Sequence, residues 1–155
     1  MKLIGRWWAL PEISIVNQFW QNEGYIDSIV ERAKPFDLNE YDHVLFSYHG
    51  LPQRHVDKIY PGEERCEDHP CETQINAENH LCYKATSYAT TRLIAAKLGL
   101  SEDDYTVCFQ SRLDKKWLTP FSDQVVQQLA LDGVKKLLVF SPAFVADCLE
   151  TVIEI

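Results

Sequence analysis

The sequence has 155 residues, 46% of them hydrophobic and 25% charged, which suits a globular protein with one sizeable core. Its net charge of −8 argues against a nucleic-acid partner, because binding to phosphates needs clustered lysine and arginine. No apolar run approaches the roughly 18 residues of a transmembrane segment, and no secretory signal is recognisable. Five cysteines in no regular framework fit a reducing compartment, so we expect a cytoplasmic protein.

The apolar pattern predicts helices and strands that alternate along the chain. Helices are predicted over 12–34 (in two pieces, with a break at Gly24), about 77–98, 122–131 and 144–154, and strands over 43–48, 105–109 and 136–140. Apolar strands that alternate with helices indicate a parallel sheet covered on both faces. The predicted fold is therefore α/β, a three-layer αβα domain of the Rossmann (flavodoxin-like) type with a parallel sheet of about four strands.

A histidine at the end of the first predicted strand is the main candidate for a functional residue. His49 follows the apolar run, and Gly50 and Pro52 then turn the chain. Ligands of open parallel sheets bind beyond the carboxyl ends of the strands, so an imidazole there can face a cleft. A hydrogen-bonded structural histidine is the alternative interpretation.

The same sheet edge collects polar side chains that follow the other two strands. They are Gln110, Ser111, Arg112, Asp147, Glu150 and Glu154. On a continuous helix the three acids are spaced i, i+3 and i+7, so they share one face. Such a row suits proton transfer or a hard divalent ion opposite His49, and a solvated acidic stripe is the alternative.

Two further side chains near this edge suggest a substrate. Arg112 can hold a carboxylate or form a surface ion pair. Trp117, close to Pro120, provides an apolar lip for a flat hydrophobic ligand or belongs to the core. The sequence contains neither a Gly-x-Ser-x-Gly elbow nor a glycine-rich phosphate loop, which disfavours a serine hydrolase and a nucleotide site.

Three cysteines form a second candidate metal site in and after the long acidic loop of residues 53–76. Cys66, Cys71 and Cys82 could bind zinc or an iron–sulfur cluster. The spacing is not the Cys-x2-Cys of a typical zinc site, and His69 or His80 would have to serve as the fourth ligand.

Several segments in the same order resemble the ferrochelatases, and together they cover nearly the whole chain. These segments are Phe46–Pro52, Phe109–Arg112, Trp117–Pro120 and Ser141–Thr151, with Ile4–Trp7 and Cys82–Leu93 similar to bacterial members. The resemblance implies a chelatase-like half-domain and a lyase of haem biosynthesis that inserts Fe²⁺ into protoporphyrin IX to give protohaem. Fe²⁺ would be a substrate, and no resident cofactor would be required.

The resemblance also implies roles for individual residues. His49 and Glu150 match the catalytic pair that faces the macrocycle, either as proton acceptors or as metal ligands. Asp147 and Glu154 match the acids that continue the metal or proton path. Gln110, Ser111, Arg112 and Trp117 match the substrate-facing segments.

The sequence differs from the ferrochelatases in its length and in one cysteine position. Ferrochelatases are longer, so residues 1–155 are interpreted as one α/β domain, the C-terminal, metal-side half, expected to catalyse poorly without the N-terminal half. Some bacterial members bind an iron–sulfur cluster through cysteines in the region 66–87, but Ser87 stands where a cysteine is expected. The alternatives are a small homodimeric chelatase for another tetrapyrrole, such as sirohydrochlorin, and a non-catalytic module that binds metal or porphyrin.

Overall fold

A computed structural model describes residues 8–9 and 12–153 of the chain. The helices are α1 (Glu23–Ala33), α2 (Gln53–Val56), α3 (Tyr83–Leu98), α4 (Ser122–Leu131) and α5 (Leu149–Val152), and the strands are β1 (His43–His49), β2 (Tyr105–Gln110) and β3 (Leu137–Phe140). Short 3-10 turns occur at Leu38–Glu40, Asp57–Ile59, Cys66–Asp68 and Glu102–Asp104. Among these described residues, no helix combines the length and the hydropathy needed to cross a bilayer.

The three strands form one parallel sheet with β1 in the centre, in the order β2-β1-β3. The predicted α/β class and parallel pairing are confirmed. The predicted count of about four strands was too high for the described residues, which contain three strands. Connections between parallel strands need crossovers, and α3 lies in the connection from β1 to β2 and α4 in that from β2 to β3.

The two faces of the sheet are covered by different helices, as a three-layer arrangement requires. Alternate β1 side chains such as Phe46 and Tyr48 face α1 and α3, and the Tyr48 hydroxyl lies 2.8 Å from the Thr91 hydroxyl of α3. On the opposite face, the Ser47 hydroxyl lies 3.0 Å from that of Ser122, the first residue of α4.

Three predicted helices are shorter in the structure than the periodicity indicated, and one of them is the helix predicted from about residue 77, which begins at Tyr83. The helix predicted from residue 12 begins at Glu23, because the Asn22 side chain accepts a hydrogen bond from the Tyr25 N–H and caps the helix there. The helix predicted from residue 144 begins at Leu149, since Cys148 is extended and the chain turns at residues 141–144. The helix α3 ends as predicted at Gly99, which has a positive φ of 73°.

The start of β1 is tied to the segment that leads into β3 by the carboxylate of Asp42. Its Oδ2 accepts hydrogen bonds from the backbone N–H groups of Lys135 and Lys136 at 2.8 and 2.9 Å. These two hydrogen bonds hold the pKa of Asp42 below its usual value of 3.8. A lowered pKa stabilises the fold above the unfolded-state value, and this stabilisation is lost as the pH falls through the lower folded-state value.

We therefore expect Asp42→Ala to destabilise the chain at neutral pH and to do so less at a pH below 3.8. Urea unfolding at the two pH values measures the difference between wild type and variant. Asp103→Ala, at an exposed position in the neighbouring 3-10 turn, is the matched control and should change little. A destabilisation by Asp42→Ala that is independent of pH would show that the carboxylate charge is not involved.

Candidate active site

His49 is the last residue of β1 and pairs across the parallel sheet with Gln110, the last residue of β2. Two contacts hold this strand end. The Tyr83 hydroxyl donates to the His49 carbonyl oxygen at 2.9 Å, and the Gly50 N–H donates to the Gln110 carbonyl oxygen at 2.8 Å. The predicted position of His49 at the carboxyl edge of the sheet is confirmed.

The hydrogen bonding of the half-buried His49 ring defines its tautomer. Its Nδ1 lies 2.6 Å from the carbonyl oxygen of Gly50, which can only accept, so Nδ1 carries the hydrogen. In the neutral ring Nε2 is then the basic nitrogen. The rings of Trp117 and Phe144 flank the imidazole, with centroids 6.4 and 6.0 Å away. The arrangement is that of a proton acceptor between apolar side chains.

Glu150 lies in the first turn of α5, close to His49. Hydrogen bonds from its own backbone N–H and from Cys148, together with the attraction of His49, hold the pKa of the Glu150 carboxyl below its usual value. The carboxylate is therefore ionised at neutral pH. Glu150 thus lies on the side of the sheet edge where the sequence placed it, within electrostatic reach of His49.

The side chain of Gln110 forms a hydrogen bond that links the Glu150 backbone to the sheet. Its Nε2 donates to the backbone carbonyl oxygen of Glu150 at 2.8 Å, and its Oε1 accepts from the Ser47 hydroxyl at 2.8 Å. Gln110 is only 4% exposed. Both ends of the amide are occupied within the chain, which fits a positioning role better than the predicted contact with substrate.

The predicted row of three acids on one helix face is not formed. Asp147 precedes α5 in a non-helical segment, where it is exposed and lines a groove of about 680 Å³ next to α1. The prediction that Asp147 and Glu150 share a helix face was therefore wrong, because the turn after β3 delays the helix. Glu154 lies outside the described residues.

Ser111 and Arg112 form the turn that follows β2, and Arg112 contacts other residues of this chain. Ser111 has a positive φ of 62°, an uncommon backbone conformation for a residue other than glycine. The Arg112 guanidinium pairs with the Asp123 carboxylate and lies 4.1 Å from the centroid of the Phe121 ring. Of the two interpretations of Arg112, the structure contains the ion pair.

Trp117 belongs to a segment that pairs with the chain just after His49. Pro52 and Trp117 form an antiparallel bridge, and the N–H groups of Gln53 and Leu118 donate to Lys116 and Leu51 carbonyl oxygens at 2.8 and 2.9 Å. This pairing places the Trp117 ring beside the His49 ring, where the sequence predicted an apolar lip.

Two residues that position the histidine were missed from the sequence, and a third, Gly50, was predicted only as a turn residue. The position of Gly50 directly after His49 was a usable signal, because a close approach between backbones needs glycine. Tyr83 and Phe144 gave no local signal, since their contacts with His49 join elements far apart in the sequence.

The three predicted cysteine ligands converge in the interior. Cys66, Cys71 and Cys82 are 1%, 2% and 0% exposed, and their Sγ atoms all lie within 4.8 Å of one another. His80 is exposed, and its Nδ1 lies 2.7 Å from the Ala77 carbonyl oxygen.

These observations define a class of protein: an α/β domain with a histidine and a carboxylate at the carboxyl edge of a parallel sheet. The sequence model of the ferrochelatase family matches residues 1–155, and the chain belongs to the ferrochelatase family.

The chain is similar to curated ferrochelatases over part of their length. The chain is 42% identical over 146 residues to a protein named ferrochelatase from Pseudomonas fluorescens biotype C, covering 93% of this chain and 43% of that protein. It is 42% identical over 147 residues to a ferrochelatase from Legionella pneumophila strain Corby, covering 94% of this chain and 43% of that protein. The chain therefore spans less than half the length of these relatives.

Proposed function

We propose that this chain is part of an enzyme that inserts Fe²⁺ into protoporphyrin IX to form protohaem in haem biosynthesis. Membership of the ferrochelatase family supports the class of reaction. The observation that carries the proposal is that His49 and Glu150 lie at the same carboxyl edge of the sheet, where Gln110 pairs with His49 and bonds to the Glu150 backbone. We further propose that residues 1–155 form the C-terminal, metal-side half of the enzyme.

The proposed chemistry follows from the imidazole and the carboxylate at this edge of the sheet. Two pyrrole N–H protons must leave the macrocycle as the dication enters. The Nε2 of neutral His49 is available to accept a proton, because Nδ1 is committed to the Gly50 carbonyl oxygen. The Glu150 carboxylate can stabilise the imidazolium that forms, and carboxylates also suit Fe²⁺. Asp147 and Glu154 are proposed to continue this path for protons or for Fe²⁺.

Apolar surface next to the pair suits a flat macrocycle. Trp117 and Phe144 flank His49, and Val145 and Leu149 are 82% and 62% exposed. An exposed group of large apolar side chains beside polar donors is typical of a ligand-binding surface. We propose that the porphyrin plane covers this group, with Ser111 and Arg112 at its margin.

We also propose a cytoplasmic location. All five cysteines are free thiols, which is the state that a reducing compartment maintains.

The test of the proposed function is Fe²⁺ insertion into protoporphyrin IX by the full-length gene product that carries this segment, followed by the absorption spectrum. Metallation of protoporphyrin supports the proposal. Metallation of sirohydrochlorin alone would favour a small homodimeric chelatase. Porphyrin binding without metallation of either tetrapyrrole would favour a non-catalytic module.

One variant can distinguish a positioning role of Gln110 from direct contact between Gln110 and the substrate. We expect Gln110→Ala to destabilise the chain by about 1–3 kcal/mol, because it leaves buried hydrogen-bonding groups unpaired. Loss of the Glu150 anchor should lower kcat about tenfold with little change in KM for porphyrin. Gln127→Ala, at an exposed position on α4, is the control. A higher KM with unchanged kcat would instead support direct contact between Gln110 and substrate.

A further inference from the structure

We propose that Cys66, Cys71 and Cys82 bind a single thiophilic divalent ion of the zinc type, at a site distinct from the His49 and Glu150 pair. The proposal rests on the geometry of the three thiols and does not depend on the proposed function.

The sulfur positions match one tetrahedral ion. Cys82 Sγ lies 3.4 Å from Cys66 Sγ and 3.8 Å from Cys71 Sγ, and all three atoms lie within 4.8 Å of one another. Thiolates bound tetrahedrally to Zn²⁺ at about 2.3 Å are separated by about 3.8 Å. Little movement of the three sulfurs would be needed to place an ion between them.

Polar side chains contact the sulfur of Cys71. The Tyr60 hydroxyl lies 3.0 Å from Cys71 Sγ, and the Asn79 amide donates to the same sulfur at 3.7 Å. Hydrogen bonds to ligating sulfurs are typical of the groups around a bound metal. A buried thiolate needs a compensating positive charge, which a divalent ion supplies.

The same geometry does not fit the iron–sulfur cluster that the family resemblance implies for some bacterial members. Such a cluster uses four cysteines, and thiolates on different irons stand further apart than those on one ion. The chain's other two thiols lie in different contacts: Cys108 accepts from Ser122 at 3.1 Å, and Cys148 lies 3.8 Å from the Thr151 hydroxyl. The Ser87 hydroxyl donates to the Tyr83 carbonyl oxygen at 2.8 Å.

His69 is the candidate for the fourth ligand. It follows Cys66 at the Cys-x2-His spacing, and its side chain is 9% exposed. Its Nε2 is buried without a hydrogen bond, at 3.3 Å from the Glu64 carboxylate, and its Nδ1 lies 3.6 Å from the Glu78 carboxylate. The imidazole stacks on Tyr60, with ring centroids 4.0 Å apart, and a rotation of the side chain would be needed for ligation. Three cysteines and one histidine form a common structural zinc site.

The site would tie the long loop to the end of β1. Cys66 and Cys71 lie in the loop after α2, whereas Cys82 precedes α3 directly. The next residue, Tyr83, donates its hydroxyl to the His49 carbonyl oxygen. A bound ion would therefore hold the loop against the element that supports the histidine.

The test is metal binding by the purified chain. We expect about one equivalent of Zn²⁺ per chain by elemental analysis, and Co²⁺ should give the strong absorption of tetrahedral thiolate coordination. Serine replacements of Cys66, Cys71 or Cys82 should abolish binding, His69→Ala should weaken it roughly tenfold or more, and Cys148→Ser should leave it unchanged.

A measurement on the wild-type chain covers the case in which a cysteine variant does not fold. Modification of the thiols of the Zn²⁺-loaded wild-type chain with a mercurial reagent should release about one equivalent of Zn²⁺, which a chromophoric chelator detects. No metal binding, or bound Zn²⁺ that thiol modification does not release, would overturn the proposal. Iron with acid-labile sulfide in place of zinc would also overturn it, in favour of a cluster.

Discussion

Replacement of His49 by alanine is expected to reduce the rate of Fe²⁺ insertion into protoporphyrin IX by about 100-fold or more. General-base catalysis by a positioned side chain typically contributes this much. The expectation follows from the tautomer, since the bond from Nδ1 to the Gly50 carbonyl oxygen leaves Nε2 as the proton acceptor. Stopped-time assays of metalloporphyrin formation by the full-length gene product measure the loss.

The matched control for this variant is His55→Ala. His55 is an exposed histidine in α2, six residues further along the chain than His49. The control should retain the wild-type rate of insertion. A His49→Ala variant that also keeps the wild-type rate would show that the imidazole takes no part in the reaction.

Gly50→Ala is expected to destabilise the chain by about 3 kcal/mol, because the new methyl group collides with the neighbouring strand. A Cβ at residue 50 would lie 2.7 Å from the backbone carbonyl oxygen of Gln110 and 3.3 Å from the Trp117 ring. That carbonyl oxygen accepts the Gly50 N–H, so the collision would break the hydrogen bond and move the end of β1. Urea unfolding measures the loss of stability.

The control is Gly24→Ala on α1, where the nearest atom to the new Cβ is the side-chain oxygen of Asn22 at 3.3 Å. A glycine in a helix is itself unfavourable, so this change should alter stability by less than about 1 kcal/mol. Equal effects of the two substitutions would show that the strand ends at Gly50 are not closely packed.

Local signals in the sequence were sufficient to predict the framework. The apolar run before His49 and the turn residues after it predicted β1 and placed the histidine at its end. Gly99 predicted the end of α3, because a left-handed residue stops a helix. Strands that alternate with helices predicted the parallel sheet. Each of these signals depends on residues close together in the sequence.

The details of the site depend on contacts between distant elements and could not be predicted in this way. The helical spacing of Asp147 and Glu150 was misleading, because the turn after β3 and the packing of Phe144 beside His49 delay the start of α5. The amide of Gln110 bonds to the Glu150 backbone, which no spacing indicates. The sequence predicted the three cysteines as possible ligands of one site, but their spacing could not show how closely the sulfurs approach, because the fold of the loop decides it.

We propose that His49 and Glu150 act as one site. A double-mutant cycle of His49→Ala and Glu150→Gln, with the initial rate of Fe²⁺ insertion measured for both single variants and the double variant, tests this claim most directly. If the two residues act as a unit, the double variant should lose about as much activity as the worse single variant. Losses that multiply would contradict the account, because they would show that the residues act independently.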